Sequence, residues 1–459
     1  DSRHRVWLAA RYFNDSLGVP GPQPADGFIP VYGSSESYSL FDHQKDENYS
    51  LDLQYRFDDD RVGNLQVDLF WEKKNLDYNS LYNYQFNYLM IDSSSVPHDS
   101  VLNTDAVDVH ARTLINKRSS GINARYMKRL SNLTVAGGID WLSGSIRSTT
   151  SDKNEAANIV GPFAPFEYSW DTYNFWYGSQ DQFDLWSNSI YRLSSKVQLD
   201  LSGRIQFIRN RQAQPSYNLG LIHAPTECLS LKIGYAYAYR LPSIADQFAE
   251  DVYTAGNDKL GPETSRSIIG SVSLSPPESS YRAGLTFFHQ TVDSLTQYQL
   301  DLSSYKYVPR NVDKMRTTGL DFNFDLSLVE RVTLTWSGVW QKAEQTVNSG
   351  QDYVDAFYVP ELKWRADVAG AWHRISGGVN LSHTSDRSLL MAGEEKRLAG
   401  VYELGLTAVY KMTSAIQLSL TAYDLTDEQR PDQFGFSIYD GDYPTPGRRF
   451  VLGASWSLP

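Results

Sequence analysis

Apolar and polar residues alternate with a period of two along most of this chain. From Ile416 to Ala422, apolar residues take every even position and polar residues every odd one. This alternation places the two sets on opposite faces of a β-strand. The same pattern recurs in residues 49–55, 197–207, 321–328 and 331–340. The sequence therefore predicts an all-β protein with almost no helix, in which each strand has one apolar and one polar face.

The length of the strands and the way they are connected favour a membrane barrel. Many predicted strands run for about ten residues or more, the length that crosses a bilayer at a tilt, whereas strands average about five or six residues in globular proteins. Short and long connections alternate, as in an up-and-down barrel with tight turns on one side and extended loops on the other. The short turns are Asp58–Val62, Arg129–Ser131, Leu193–Lys196, Pro276–Ser280 and Met412–Ser414. The long connections are residues 15–42, 79–118, 148–182, 241–264, 348–358, 385–397 and 426–447.

Taken together, these patterns predict a transmembrane antiparallel up-and-down β-barrel with about 18 strands in this chain. The predicted strands start near Arg5, Glu47, Gly63, Ser119, Asn132, Phe183, Val197, Ser216, Leu229, Arg266, Tyr281, Lys306, Arg331, Val359, Ile375, Leu398, Ala415 and Arg448.

Aromatic residues recur at a spacing that suits a bilayer. On the apolar face Trp364 and Trp372 are eight residues apart, as are Tyr402 and Tyr410. At ~3.3 Å per residue and a tilt of ~40°, the two rings of each pair lie about 20 Å apart. We therefore expect these residues to form two aromatic girdles, a role that accounts for part of the 13% aromatic content.

Composition narrows the class of protein further. The 459 residues carry a net charge of −12, so nothing in the charge supports a nucleic-acid partner. No shift in composition divides the chain, and we expect residues 1–459 to form a single domain. The single cysteine, Cys228, excludes an internal disulfide.

No catalytic or cofactor motif is present in the sequence. It contains no His-Glu-x-x-His pair, no Gly-rich phosphate loop and no Gly-x-Ser-x-Gly elbow. The acidic clusters Asp58–Asp60 and Asp440–Asp442 lack the spacing and the closing Glu of a calcium loop, so we interpret them as solvated turns. The sequence therefore predicts neither enzyme activity nor a cofactor or metal site.

Two groups of residues are candidates for ligand contact. Rings in one long loop could stack on a ligand, or could instead pack the loop and continue the outer aromatic girdle, which is the more common role. Cations on the polar face could steer an anionic ligand, although charged lumen residues are ordinary in such barrels. The aromatic candidates are Tyr168, Trp170, Tyr173, Trp176 and Tyr177, and the cationic candidates are Arg204, Lys232 and Arg240.

Four segments resemble the barrel of TonB-dependent outer-membrane receptors. Tyr239–Ser243 resembles the strand end with an aromatic residue, Arg, any residue, Pro and Ser, and Gly256–Ser265 is similar to the Gly-Asn-x-x-Leu-x-Pro-Glu loop that follows it. Asn311–Asp321 resembles the Asn…Gly-x-Glu strand, with Asp321 in place of the usual Glu. The segment from Ala422 to Arg448 resembles the Asn-Leu-Phe-Asp and Pro-Gly-Arg elements that precede the closing strand.

The resemblance implies both a fold and a function. The family has a 22-stranded barrel closed by an N-terminal plug, and we expect this chain to correspond to strands 5–22, without the plug and the first strands. It implies a receptor in the bacterial cell outer membrane for TonB-energised uptake of a scarce nutrient such as an iron-siderophore or cobalamin. The implied partners are outer-membrane lipid, a small-molecule ligand and the TonB energy-coupling complex, which acts through a plug.

Two other classes of protein also fit the strand pattern. A passive porin-like channel of about 18 strands would close upon itself without a plug. A soluble adhesin or carbohydrate-binding β-protein would share the alternation but not the need for a membrane.

Overall fold

The computed structural model consists almost entirely of β-strands. It describes residues 3–18, 43–92, 99–154, 157–161, 164–168, 171–209, 211–250, 254–277, 280–301, 303–304, 306–329, 331–346, 352–391, 394–428 and 447–456. The strands are β1 (His4–Gly18), β2 (His43–Asp59), β3 (Gly63–Asp92), β4 (Asp99–Arg129), β5 (Leu133–Asn154), β6 (Ala157–Gly161), β7 (Ala164–Tyr168), β8 (Asp171–Arg192), β9 (Val197–Ile208), β10 (Gln214–His223), β11 (Leu229–Arg240), β12 (Glu263–Leu274), β13 (Tyr281–Asp301), β14 (Lys306–Val329), β15 (Val332–Gln345), β16 (Val354–Asp355), β17 (Leu362–Trp372), β18 (Ile375–Thr384), β19 (Arg387–Met391), β20 (Glu394–Leu398), β21 (Val401–Lys411), β22 (Ile416–Tyr423) and β23 (Arg449–Trp456).

One antiparallel up-and-down sheet contains nineteen of these strands in the part of the chain that the structure describes. One of the nineteen, β16, has only two residues, which leaves the eighteen long strands that the sequence predicts. Each long strand pairs with the next one along the chain, and the hairpins β6–β7 and β19–β20 stand outside the sheet. A single helix, α1 (Ile244–Phe248), is described in the connection between β11 and β12. Among the described residues there is no helix long and apolar enough to cross a membrane.

In a soluble protein the apolar face of a sheet is buried, whereas in this sheet the apolar face is exposed and the polar face is the more buried one. Large apolar side chains such as Leu8, Trp372 and Leu452 are 70%, 68% and 81% exposed. By contrast, Asp184 and Gln206, on the polar face, are 0% and 5% exposed. The sheet thus curls with its polar face inside and its apolar face outside, as a transmembrane barrel requires.

The predicted aromatic girdles are present as two rows on the outer face. The backbone register places Trp364, His383 and Tyr402 side by side on β17, β18 and β21. Their ring centroids are 6.0 Å apart for the first pair and 4.2 Å apart for the second. Eight residues further along β17 and β21, Trp372 and Tyr410 flank Ile375 in a second row. Rings at the two interfaces of a bilayer produce this pattern.

The predicted long connections were wrong where strands continue above the apolar band. Strands β3 and β4 are 30 and 31 residues long and fill most of residues 79–118, which the sequence predicted as a loop. Strands β5 and β8 similarly extend into residues 148–182, where β6 and β7 form a separate hairpin. The expected strand length, the ten residues or so that cross a bilayer, ended the prediction too early. In the extension of β3 the alternation in fact continues, with an apolar residue at every second position at Tyr82, Tyr84, Phe86, Tyr88 and Met90.

A tight turn joins β2 to β3 and requires glycine. The amides of Arg61 and Val62 donate to Asp59 Oδ1 at 2.8 and 2.9 Å, and they hold the pKa of that carboxyl below its ordinary value. Gly63 follows with φ of 120°, a conformation that L side chains rarely adopt. A Cβ at this position would lie 2.7 Å from Tyr126 Oη and 2.8 Å from the Met127 carbonyl oxygen.

Replacing this glycine should therefore weaken the barrel. We expect Gly63→Ala to cost about 1–3 kcal/mol, because the backbone strain and the close contacts add together. The measurement is the midpoint of heat-modifiability, the shift in gel mobility when a barrel unfolds in detergent. Gly270→Ala is the matched control, because a Cβ at Gly270 meets nothing within 4 Å. Equal midpoints for the two variants would contradict this account of the turn.

Candidate functional site

A cluster of polar side chains lies on the inner face of β5, β8, β9 and β11. Arg204 of β9 forms an ion pair with the fully buried Asp184 of β8. In the backbone register Asp184 stands opposite Asp140 of β5 on one side and Gln206 of β9 on the other. Tyr239 of β11 donates its hydroxyl hydrogen to Gln206 Oε1 at 2.9 Å. Four strands that are distant in sequence thus build one polar area of the inner wall.

This inner polar cluster keeps unused hydrogen-bonding capacity. Asp184 Oδ1 and Arg204 Nε are buried and have no hydrogen-bond partner among the described residues. A buried polar atom without a partner costs about 1–3 kcal/mol, so such atoms are rare in folded proteins. Because both atoms are buried, this unmet capacity lies within the wall and is not exposed to solutes inside the barrel.

The connection between β11 and β12 folds back onto the same inner face. Its helix α1 is capped by Ser243, whose hydroxyl accepts from the Asp246 amide at 3.0 Å while Asp246 accepts from the Ser243 amide at 2.8 Å. The helix rests directly on Gly178 of β8, where a Cβ would come within 2.6 Å of the Phe248 ring. Glycine at this position lets the helix approach the wall closely.

Arg211 ties this connection to the outer end of β9. Its guanidinium donates to the carbonyl oxygens of Leu260 and Asp258 at 2.7 and 3.2 Å and to the side chain of Gln247. Leu260 is 2% exposed. The connection is therefore packed around Leu260 and held by a half-buried arginine.

The segments that carry the family resemblance contact one another. Asn311 Oδ1 accepts from the Gly261 amide at 2.7 Å, and Asn311 Nδ2 donates to the Gly261 and Ser294 carbonyl oxygens at 3.2 and 2.9 Å. Asn257 Nδ2 donates to the Pro309 carbonyl oxygen at 3.0 Å. These side chains fix backbone, which fits the structural role that turn residues predict for this loop.

Arg240 and Glu263 close the base of the connection with a bidentate ion pair. Arg240 Nε and Nη2 donate to the two carboxylate oxygens at 2.8 and 2.5 Å, and the Thr296 amide donates to Glu263 Oε1 at 2.8 Å. Burial alone would raise the pKa of Glu263, but the hydrogen bonds from Arg240 and Thr296 outweigh it and hold this pKa below the ordinary value. The pair therefore stays charged below the pH at which a free Glu takes up a proton.

Of the five predicted aromatic residues, Trp176 and Tyr177 have side chains that the structure describes. Trp176 and Tyr177 are neighbours on β8, so the alternation places Trp176 on the inner face with Gly178 and Tyr177 on the outer face, 56% exposed. Tyr168 ends β7, Tyr173 lies in β8, and Trp170 lies outside the described residues. Their role in ligand contact stays a prediction.

The three predicted cations follow the inner face from one end of the wall to the other. Lys232 lies near the short-turn end of β11, Arg204 lies midway along β9, and Arg240 lies at the loop end of β11. Arg204 and Arg240 are committed to carboxylates of the protein. Lys232 makes no ion pair with any residue that the structure describes, which leaves its charge available to solutes inside the barrel.

A second polar area lies among the outer loops. A cavity of about 410 Å³ opens between the β15–β17 connection and the β19–β20 hairpin. Its lining mixes both signs of charge, and Arg397 and Asp386 pair with each other across it. Within the described part of the chain, no group of three or more His, Cys, Asp or Glu residues could hold a metal ion.

Sequence reasoning found Arg204 and Arg240 but missed their partners. Asp140, Asp184 and Glu263 are charged residues on polar faces, and nothing in the local pattern distinguishes them from solvated ones. Their pairing depends on the register between strands, which a single sequence does not specify. The half-buried Arg211 was missed because it stands in a short connection without periodicity.

Comparisons with known proteins agree with this architecture. A family model described as TonB dependent receptor-like, beta-barrel matches residues 2–425. No curated protein sequence matches the chain. Many solved structures do match, and because all those compared below are less than 25% identical to this chain, they show the fold alone.

Three of these structures illustrate the match. The ferric-catecholate import receptor Fiu from E. coli K12 is 14% identical, with a TM-score of 0.67 over 99% of this chain and 72% of that chain. The siderophore receptor PiuA from Acinetobacter baumannii is 13% identical, with a TM-score of 0.70 over the same shares. The ferric enterobactin receptor PfeA from Pseudomonas aeruginosa is 15% identical, with a TM-score of 0.61 over 98% and 76%.

The Arg240–Glu263 pair makes the order of the β11–β12 connection depend on pH in a defined direction. Because the pKa of Glu263 is lowered in the folded state, its stabilisation is complete above about pH 4.3, the ordinary value, and is lost as the pH falls through the depressed value. Exchange of the backbone amide hydrogens of residues 241–262, corrected for intrinsic rates, should stay slow at pH values above the depressed pKa of Glu263 and accelerate as the pH falls below it.

Glu263→Gln should accelerate this exchange already at neutral pH, because the neutral amide cannot replace the bidentate carboxylate. Asp258→Asn is the matched control, since it removes a negative charge from the same connection and only the backbone oxygen of Asp258 contacts Arg211. An effect of equal size in both variants would show that overall charge, and not the pair, orders the connection.

Proposed function

Because the chain belongs to the TonB-dependent receptor β-barrel family, we propose that it forms the barrel of an outer-membrane receptor that imports a scarce nutrient by TonB-energised transport. The match of the family model over residues 2–425 carries this proposal. The family consists of transporters and receptors of the bacterial outer membrane, and the two aromatic rows and the exposed apolar face suit that location.

The substrate class proposed is an iron chelate, with a cobalamin-like molecule as the second choice. Solved structures with this fold include import receptors for ferric catecholate and ferric enterobactin. In this chain the inner wall carries the partly exposed Arg204 and the exposed Lys232, which provide hydrogen-bond donors and positive charge for a hydrophilic, anionic solute. Such a wall suits a metal chelate better than an apolar nutrient.

TonB is the proposed energy-coupling partner. By the family mechanism it pulls on a plug domain, and we propose that residues 1–459 supply the wall around that plug. The β11–β12 connection is held against the inner face by Arg211 and helix α1, so it narrows the passage inside the outer half of the barrel.

Transport should therefore require both this protein and TonB. We expect deletion of its gene to abolish growth when one ferric siderophore, or cobalamin, is the sole source of the nutrient, and deletion of TonB to have the same effect. Growth at high concentrations of free iron is the control. Uptake that continues without TonB and rises linearly with substrate concentration would favour a passive porin-like channel instead.

The adjacent residues Trp176 and Tyr177 provide a test of the inner wall. We expect Trp176→Ala to weaken binding of the transported ligand by about tenfold, since a single aromatic contact contributes on the order of 1–2 kcal/mol. Tyr177→Ala should leave the affinity unchanged, because Tyr177 lies on the outer face of the same strand. Ligand titration by fluorescence quenching measures both. Equal losses would show that binding does not distinguish the two faces.

A further inference from the structure

The outer face of β3, β4 and β5 changes from apolar to cationic at one height. On β3 the outward positions from Leu65 to Trp71 are apolar, and the next outward residue is Lys73. Lys73 lies ten residues beyond the turn at Gly63, about 25 Å along the barrel axis, which is the height of the apolar band in such barrels. The change therefore lies where the membrane's hydrocarbon ends and the lipid headgroups begin.

Three cations occupy this height on adjacent strands. Lys73 stands directly opposite Arg118 of β4 in the register, and Arg147 of β5 stands opposite Asn116, the next outward residue of β4. Cations directly opposite each other across a strand pair destabilise a sheet unless an anion lies between them. In a protein with a net charge of −12, this concentration of positive charge on one outward face requires an explanation.

None of the three cations forms an ion pair with an acidic residue in the described part of the chain. Glu47 lies close enough to Lys73 for the two charges to interact, but its ion pair is with Lys45 at 2.9 Å, and Asp77 is held by Arg112 at 2.7 Å. Asp181 faces outward on β8 and forms no ion pair with any of the three in the described structure.

The contacts that the three cations do make are with rings. Lys73 Nζ lies 5.9 Å from the Tyr49 ring centroid and the Arg147 guanidinium lies 5.0 Å from that of Phe175. The side chain of Arg118 has no partner among the residues that the structure describes. Aromatic rings thus orient Lys73 and Arg147 without removing their charge.

The outer face on another side of the barrel shows the opposite arrangement. There Arg316 of β14 and Lys342 of β15 both contact Glu344, at 2.6 and 2.9 Å, above the height of Trp340. The hydrogen bonds from Arg316 and then Lys342 lower the pKa of Glu344 to about 2. The protein thus supplies an ion-pair partner for both cations at that position, whereas Lys73, Arg118 and Arg147 form no ion pair in the described part of the chain.

We propose that Lys73, Arg118 and Arg147 form a binding site for the phosphate groups of an anionic lipid in the outer leaflet of the membrane. The inference rests on the proposed function in one respect, the location in the outer membrane. Charge complementarity carries it. Lipid phosphates lie at this height, supply the negative charge that would neutralise the three cations, and accept several hydrogen bonds from guanidinium groups. The rings of Trp71 and Trp141 below the site, 43% and 41% exposed, would contact the acyl chains.

The test is a lipid titration of the protein purified from outer membranes in a neutral detergent. The probes are lipid A carrying two phosphates and the same lipid A after both phosphates have been removed, with bound lipid counted by native mass spectrometry. We expect the phosphorylated form to bind at least tenfold more tightly, and equal affinities would overturn the proposal. Inorganic phosphate at millimolar concentration should not compete, because the site takes the phosphate as part of a lipid. Competition would replace the proposed lipid with a free anion.

Variants locate the site. Each cation near a membrane surface contributes about a fivefold change in affinity, so we expect Arg118→Gln to weaken lipid A binding about fivefold and the triple variant K73Q/R118Q/R147Q by roughly a hundredfold. Lys117→Gln is the matched control, since Lys117 is the adjacent residue on the inner face of the same strand. Arg118→Lys should retain most of the affinity. Loss in K117Q equal to that in R118Q, or full binding by the triple variant, would overturn the assignment.

Two further readouts keep the outcomes separate. Heat-modifiability of each variant shows that its barrel is folded before lipid is added. Membrane fractionation and nutrient uptake test the proposed function independently of lipid affinity. A protein that is absent from the outer membrane would defeat both proposals, whereas normal uptake without any preference for phosphorylated lipid would defeat only this one.

Discussion

The requirement that every backbone polar group be satisfied within the protein governs this structure. In hydrocarbon no water is present to bond an N–H or C=O group, so strands must pair continuously from one neighbour to the next. The eighteen long strands do so in a simple up-and-down order. Because that order fixes the direction of every strand, it also decides which connections lie outside and which side chains face lipid. Positions of the aromatic rows, the inner polar wall and the outward cations all follow from it.

Alternation then makes adjacent residues belong to different environments. Trp176 and Tyr177 are neighbours in sequence, yet Trp176 shares the inner face with Gly178, on which helix α1 rests, and Tyr177 faces outward. Lys117 and Arg118 are separated in the same way. On a loop, consecutive residues can contact one ligand. On a barrel strand only every second residue can do so, and a short sequence motif there does not form a site by itself. Sites form across strands, as Asp140, Asp184 and Arg204 do.

The sequence predicted much of the fold because burial in lipid imposes a strong local pattern. Strands were predicted to start at Gly63, Val197, Leu229, Tyr281 and Ile375, and they start at those residues in the structure. The prediction failed in β3 and β4, because these strands continue far past the ten residues or so that cross a bilayer and the expected strand length ended the prediction too early. The polar cluster could be predicted only in part, because the register that brings Asp184 opposite Asp140 is a property of paired strands and not of either strand alone.

The same distinction explains why the segments that resemble the family are not the best guide to its ligand. The side chain of Asn311 bonds the Gly261 backbone, that of Asn257 donates to the Pro309 carbonyl oxygen, and Arg240 is held by Glu263. These residues shape the β11–β12 connection, a task that any member with this fold must perform whatever it transports. Residues that choose a substrate must instead have free hydrogen-bonding capacity and face the passage. In the described part of this barrel the exposed Lys232 meets both conditions, so substrate choice is better sought on the inner wall than in the recognisable motifs.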